Sequence, residues 1–145
     1  MPIQPLDELE QIYQEDNSWH YETTPDDVRR KAILLSELPS RSYQTVLNIG
    51  CGYGFISRDL PGKSILGVDV SANAISQANS WLQKSPVVDK QIQFLQSSIF
   101  DLPNCLDSTY DLIVITGVLY PQYIGESKTL IYQIIDRLLK KDGIL

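Results

Sequence analysis

The sequence predicts an α/β protein, an open parallel sheet wound with helices on both faces. Val46-Leu47-Asn48-Ile49, Ile65-Leu66-Gly67-Val68 and Leu112-Ile113-Val114-Ile115 are short, mostly apolar runs without polar alternation, the pattern of strands covered on both sides. Segments with helical spacing separate several of them, and strands alternating with helices imply parallel pairing through right-handed crossovers. At 145 residues and 43% hydrophobic, the chain fits one domain with a buried core.

Leu6, Leu9, Ile12 and Tyr13 recur at helical spacing, which predicts a short amphipathic helix over residues 6–14, interrupted by the polar stretch 15–24. Thr24-Pro25-Asp26-Asp27 combines a capping residue, a Pro suited to the first helical position and two acids favoured by the positive end of the helix dipole. A second helix therefore starts there, with Val28, Ala32, Leu35 and Leu38 on one face and Pro39 as its stop. Residues 92–95 form a fourth, less apolar strand. Helices are predicted at 55–60, at 72–84 with Ile75, Ala78 and Leu82 on one side, and at 130–139, where Leu130, Ile131, Ile134, Ile135, Leu138 and Leu139 make a broad stripe. Lys140 and Lys141 suit the negative end of that last helix and Gly143 its termination. Ile144 and Leu145 then read as the start of a further strand, so the chain is expected to stop within the sheet and lack its outer strands. Residues 1–44 are assigned to an N-terminal helical lid and 45–145 to an incomplete α/β core, together one domain.

Twelve Lys and Arg against eighteen Asp and Glu give a net charge of -6, the wrong sign for generic attraction to nucleic acid or anionic lipid. A small molecule is the expected partner. Cys51 and Cys105 are too few for a disulfide framework and match no zinc pattern with the single His20, so no metal is expected and the setting is reducing and cytoplasmic. The first ten residues carry Asp7, Glu8 and Glu10 and lack the basic start and apolar run of a targeting peptide. No stretch approaches the 18 apolar residues of a spanning helix. Asp101, Asp107 and Asp111 read as caps and turn formers, and Cys105 as an inert small residue.

The chemistry concentrates at Gly50-Cys51-Gly52-Tyr53-Gly54, where the first strand runs directly into a glycine-rich turn. Glycine serves where the backbone bends with positive φ or approaches a ligand closely, and in a parallel sheet such a turn lies at the carboxyl ends of the strands, where ligands bind. The alternative is an ordinary tight turn. Asp69 ends the next strand, 19 residues after Gly50, a separation at which an acid accepts hydrogen bonds from ribose hydroxyls. The competing role, a cap for the following helix, can be filled by Ser71. A dinucleotide fingerprint needs a small residue at position 55, where Phe55 stands, so the compact glycine spacing favours a nucleoside cofactor without a pyrophosphate. Gly62-Lys63-Ser64 imitates the tail of a phosphate loop but lacks its first glycine and precedes a strand.

Asn48-Ile49-Gly50-Cys51-Gly52-Tyr53-Gly54, Gly67-Val68-Asp69-Val70-Ser71, Asp101-Leu102-Pro103 and Tyr110-Asp111-Leu112-Ile113-Val114, in that order, resemble the motif series of class I S-adenosylmethionine-dependent methyltransferases. The resemblance runs from Thr45 to Leu145, and within the family it is nearest to the nodulation-type N-methyltransferases. It implies a Rossmann-like doubly wound sheet of that type and S-adenosyl-L-methionine as cofactor. By position it implies that Gly50, Cys51 and Gly52 pass beneath the methionine part, with Asn48 and Gly54 among the cofactor-binding residues. It places Asp69 on the ribose, Val70 against the adenine, Ser98 and Ile99 at the adenine edge, and the Thr116 carbonyl toward the amino group. Asn48 and Ser98 depart from the family's usual acids, each removing a negative charge while keeping a hydrogen-bonding group.

Methyl transfer from a sulfonium is an in-line displacement, so alignment and exclusion of water matter most. A base is needed only for an acceptor that carries a proton. Tyr120 and Tyr123 follow the fourth strand on the expected acceptor side, while Tyr13, Trp19, His20 and Tyr21 belong to the lid. Trp19 is expected over the cofactor and His20 as the base; the plainer role of these aromatics is to cover apolar surface. The expected function is methyl transfer to N or O of a small molecule. The alternative is a catalytically silent, methyltransferase-like subunit that binds a partner, including a second copy through an exposed sheet edge. A nicotinamide oxidoreductase is disfavoured by Phe55.

Overall fold

A computed structural model describes residues 6–12, 24–119 and 124–145. The apolar runs are strands: β1 (Thr45–Ile49), β2 (Ser64–Asp69), β3 (Gln91–Gln96), β4 (Tyr110–Ile115) and β5 (Leu139–Ile144). All neighbours pair in parallel, in the order β3-β2-β1-β4-β5. The helices are α1 (Leu6–Ile12), α2 (Pro25–Glu37), α3 (Ala72–Lys84), α4 (Leu102–Cys105) and α5 (Lys128–Leu138).

Alternation along β1 divides the core in two. Val46 points into a cluster with Leu60, Ile65, Ile92, Leu112 and Val114, roofed by Leu34, Leu35 and Leu38 near the end of α2 and by Leu82 of α3. Leu47 and Ile49 point the other way, against Val68, Ile113, Leu102 of α4 and Ile131, Ile134, Ile135 and Leu138 of α5. Helices on both faces explain why these strands read as continuous apolar runs, each buried aliphatic side chain contributing about 1.5–3 kcal/mol. The chain steps from β1 outward to β2 and β3, then returns to the other side of β1 as β4. The carboxyl ends of β1 and β4 therefore flank the switch point, where open α/β sheets bind ligands.

Five local expectations need correction. The helix expected at 55–60 is one 3-10 turn, Ser57–Asp59, because Pro61 disfavours a helical Leu60, which is extended at ψ 140. The last helix ends at Leu138; Leu139 is already extended at ψ 131, and Lys140, Lys141 and Gly143 lie in β5 rather than in a helix end. β5 pairs with β4 at Tyr110↔Leu139 and Leu112↔Ile144 with a register shift between, so the last strand begins five residues before Ile144. α2 is rotated from its expected face: Val28 is 45% exposed, and the inward side holds Lys31, Leu34, Leu35 and Leu38. Finally, Asp111 is no turn former. Its carboxylate accepts the Gln44 and Thr45 amides at the start of β1 and pairs with the Lys140 ammonium of β5 at 2.7 Å, tying three strands together at the amino end of the sheet.

Candidate ligand site at the carboxyl ends of the strands

The turn after β1 is built from backbone contacts that only glycine permits. Gly50 has φ +79, and its amide and that of Cys51 both donate to the Val68 carbonyl, at 2.8 and 3.0 Å. A Cβ on Gly50 would lie 2.3 Å from the Thr116 carbonyl, so the chains leaving β1 and β4 touch at the switch point through a missing side chain. The Thr116 amide returns to the Ile49 carbonyl at 3.2 Å. Gly54 has a packing role: a Cβ there would meet the Phe94 ring at 2.9 Å.

Asp69 closes the bend from the next strand. Its Oδ2 accepts the Gly52 amide at 2.9 Å and its Oδ1 the Ser71 amide at 3.0 Å. Burial pushes its pKa up; the Ser71 and Gly52 amides oppose that, and the charge of Glu10 adds to it. Each carboxylate oxygen retains acceptor capacity beyond one amide. Beside it Val70 turns an apolar side chain outward, 37% exposed. Among the described residues nothing lies within 4 Å of where a Cβ on Gly117 would stand, so none of them fills the rim past β4. An acceptor, an apolar face and such a rim around a side-chain-free bend fit a nucleoside. Ser71 caps α3 itself, its hydroxyl accepting the Ala74 amide at 3.1 Å, so Asp69 is not consumed by that task.

The remaining candidates divide. Asn48 is fully buried, its amide nitrogen donating to the Ser57 hydroxyl at 2.7 Å, so it supports the bend from below. Ser98 caps the 3-10 turn Ile99–Asp101 by accepting the Phe100 amide at 3.2 Å, and the Ile99 side chain is committed to the core. Burial and then the Asp69 charge push the Cys51 thiol well up, which removes it as a nucleophile. Trp19, His20, Tyr120 and Tyr123, with Tyr13 and Tyr21, lie outside the described residues.

Two contributors went unread in the sequence. Glu10 of α1 accepts the Asn73 amide at 3.1 Å, and its carbonyl accepts the Asn73 side chain at 2.7 Å, docking the N-terminal helix on the start of α3. Lys31 of α2 reaches the turn after Gly54. Neither belongs to a local motif; the only signal was that each breaks the apolar stripe of its helix. Among the described residues no group of three or more His, Cys, Asp or Glu could hold a metal, and no helix is long and apolar enough to cross a membrane.

Comparison with known proteins agrees with this geometry. The crystal structure of the N-methyltransferase NodS from Bradyrhizobium japonicum, in complex with S-adenosyl-L-homocysteine, is similar with a TM-score of 0.78 and 26% identity, over 96% of this chain and 70% of that one. The malonyl-acyl-carrier-protein O-methyltransferase of Magnetococcus marinus is 34% identical over 119 residues, 79% of this chain and 41% of that protein. The mitochondrial ubiquinone biosynthesis O-methyltransferase of Bos taurus is 29% identical over 102 residues, 69% of this chain and 27% of that protein. The chain thus spans under half the length of these two curated relatives. The family described as a methyltransferase domain matches residues 40–145, most of the chain, and the chain belongs to that family.

Proposed function

We propose that this chain is the S-adenosyl-L-methionine-binding core of a cytoplasmic methyltransferase that transfers a methyl group to N or O of a small-molecule acceptor. The observation that carries the reading is Asp69, a buried carboxylate held by backbone amides against a glycine bend at the switch point. The S-adenosyl-L-homocysteine in the NodS structure and the O-methyltransferase names of the two sequence relatives support it.

When bound, the cofactor supplies a methyl already activated by a sulfonium charge. The chain's own task is to align and to exclude water. Asp69 would accept the ribose hydroxyls and Val70 pack on the adenine, with the backbone at Ser98 and Ile99 and the Thr116 carbonyl at its polar edges. Gly50, Cys51 and Gly52 pass beneath the methionine part. Within this reading residues 1–44 form a lid with Trp19 over the cofactor, His20 takes a proton from acceptors that carry one, and Tyr120 and Tyr123 line the acceptor side.

Calorimetry with S-adenosylmethionine and with NAD, on the wild type and on Asp69→Ala, tests it. Binding of S-adenosylmethionine that collapses in the variant, with no binding of NAD, is the expected result. Binding of neither ligand rejects the reading. Binding without methylated product from a panel of amines, phenols and carboxylic acids makes the chain a silent binding subunit instead.

A further inference from the structure

The turn that leaves the glycine bend departs from helical hydrogen bonding. In a helix the Phe55 carbonyl would accept the amide four residues on, but the 3-10 turn sends the Asp59 amide to Ile56 at 3.1 Å instead. Phe55 is 8% exposed, and a buried carbonyl gains from a strong donor. Lys31 supplies it from α2, its ammonium donating to the Phe55 carbonyl at 2.6 Å. The same ammonium pairs with Asp59 and lies 4.2 Å from the centre of the Phe55 ring, and the side chain is only 13% exposed. A lysine this enclosed, with all three partners within five residues of Gly54, is held by the bend and holds it.

The other side of the same turn is fixed from α3. Arg58 donates Nε to the Gly54 carbonyl at 3.2 Å while its guanidinium stacks 4.1 Å over the Trp81 ring. The exit of the bend is therefore gripped from α2 through Lys31 and from α3 through Arg58, two residues from Gly52, whose amide holds Asp69. Lys31 also accounts for the rotation of α2, because its reach to Phe55 puts that residue, and not Val28 or Ala32, on the inward side.

We propose that Lys31 is a positioning residue: it holds the backbone of residues 50–55 in the shape that receives the cofactor and so couples the N-terminal helix α2 to cofactor affinity. The affinity part of this inference rests on the methyltransferase reading above; the positioning part does not.

The test compares wild type, Lys31→Met, Lys31→Arg and Asp59→Asn by two readouts. Lys31→Met keeps the aliphatic packing and removes the donor, so S-adenosylmethionine should bind about tenfold more weakly, and amide exchange over residues 50–60 should quicken in the ligand-free protein. Lys31→Arg, which keeps charge and donors, should recover most of the affinity. Asp59→Asn removes the ion pair but leaves the carbonyl bond, so its affinity should stay within about twofold. Unchanged affinity and exchange in Lys31→Met overturn the proposal, as does an equal loss in Asp59→Asn, which would reduce Lys31 to one half of a surface ion pair. Should Lys31→Met not fold, failure of Lys31→Arg to bind more tightly than an Arg58→Lys control would also overturn it. If the wild type binds no S-adenosylmethionine, the functional reading fails, and the exchange comparison alone decides whether Lys31 holds the bend.

Discussion

Asp69 and Asp111 sit at opposite ends of the sheet, exposed by only 9% and 7%, yet their surroundings treat the charge in opposite ways. Burial pushes both carboxyls up. At Asp111 the hydrogen bond and charge of Lys140, with the amides of Gln44 and Thr45, outweigh burial and hold the pKa below the usual carboxylate value. At Asp69 the amides of Ser71 and Gly52 do not outweigh it, and the nearby Glu10 works against ionisation. A carboxylate that only joins strands is given a counter-ion. One left, among the described residues, with amides, an acidic neighbour and spare acceptor capacity meets the requirement of the proposed role, a ligand that brings donors.

The largest expected effect that would break this contrast is on binding. Asp69→Asn should weaken S-adenosylmethionine by about 10- to 100-fold, the scale of hydrogen bonds to a charged group. The melting point of the ligand-free variant should move little near pH 7, because removal of a buried charge is offset by the loss of one of the two amide bonds from Gly52 and Ser71, Asn having a single acceptor oxygen. A lower melting point with unchanged affinity would make Asp69 a structural residue like Asp111.

Asp111→Asn is the mirror experiment. It should leave affinity within about twofold and cost about 1–2 kcal/mol in denaturant unfolding, since Lys140 loses its counter-charge but stays 41% exposed and hydrated. The pH dependence follows the same sign. Asp111, with its folded pKa below the unfolded value near 3.9, contributes stability that is present above that value and is lost as pH falls through the folded pKa. Asp69 runs the other way: its folded pKa is raised, so the ligand-free fold pays for ionisation as pH rises from the unfolded value through the folded one. Ribose hydroxyls donate to the ionised form, so affinity should climb with pH across that window and level off above it. Titrating binding of wild type and Asp69→Asn from pH 4 to 8 checks this, and a slope that persists in the variant would remove Asp69 as its source.

The same contrast marks what could be read from the sequence. Asp69 was legible because its signal is local: a short apolar run, an acid at its end, and glycines one crossover earlier. The parallel sheet covered on both faces followed from strands too apolar to have a wet face. Asp111 was misread because its meaning depends on Lys140, 29 residues later, in a segment whose helical stripe runs on through Leu139. Nothing in Leu139-Lys140-Lys141-Asp142-Gly143 favours a strand; pairing with β4 and the donation from Arg41 to the Asp142 carbonyl at 2.9 Å decide it. Lys31 escaped for a similar reason, since the carbonyl it satisfies became available only when Pro61 cut the following helix to one turn.

The smallest expected effect separates capping from ligand binding within three residues. Ser71 uses its hydroxyl to cap α3 and its amide to hold Asp69. Ser71→Ala removes the first and keeps the second. It should lower stability by about 1 kcal/mol, the usual cost of a lost N-cap, and leave S-adenosylmethionine affinity within about twofold, whereas Asp69→Asn should do the reverse. Chemical denaturation and calorimetry on the two variants and their double mutant measure both quantities. Additive effects would mean that the helix start and the carboxylate act separately. If Ser71→Ala instead weakened binding as much as Asp69→Asn, the carboxylate would owe its place to the capped helix, and its spare acceptor capacity would no longer set it apart from Asp111.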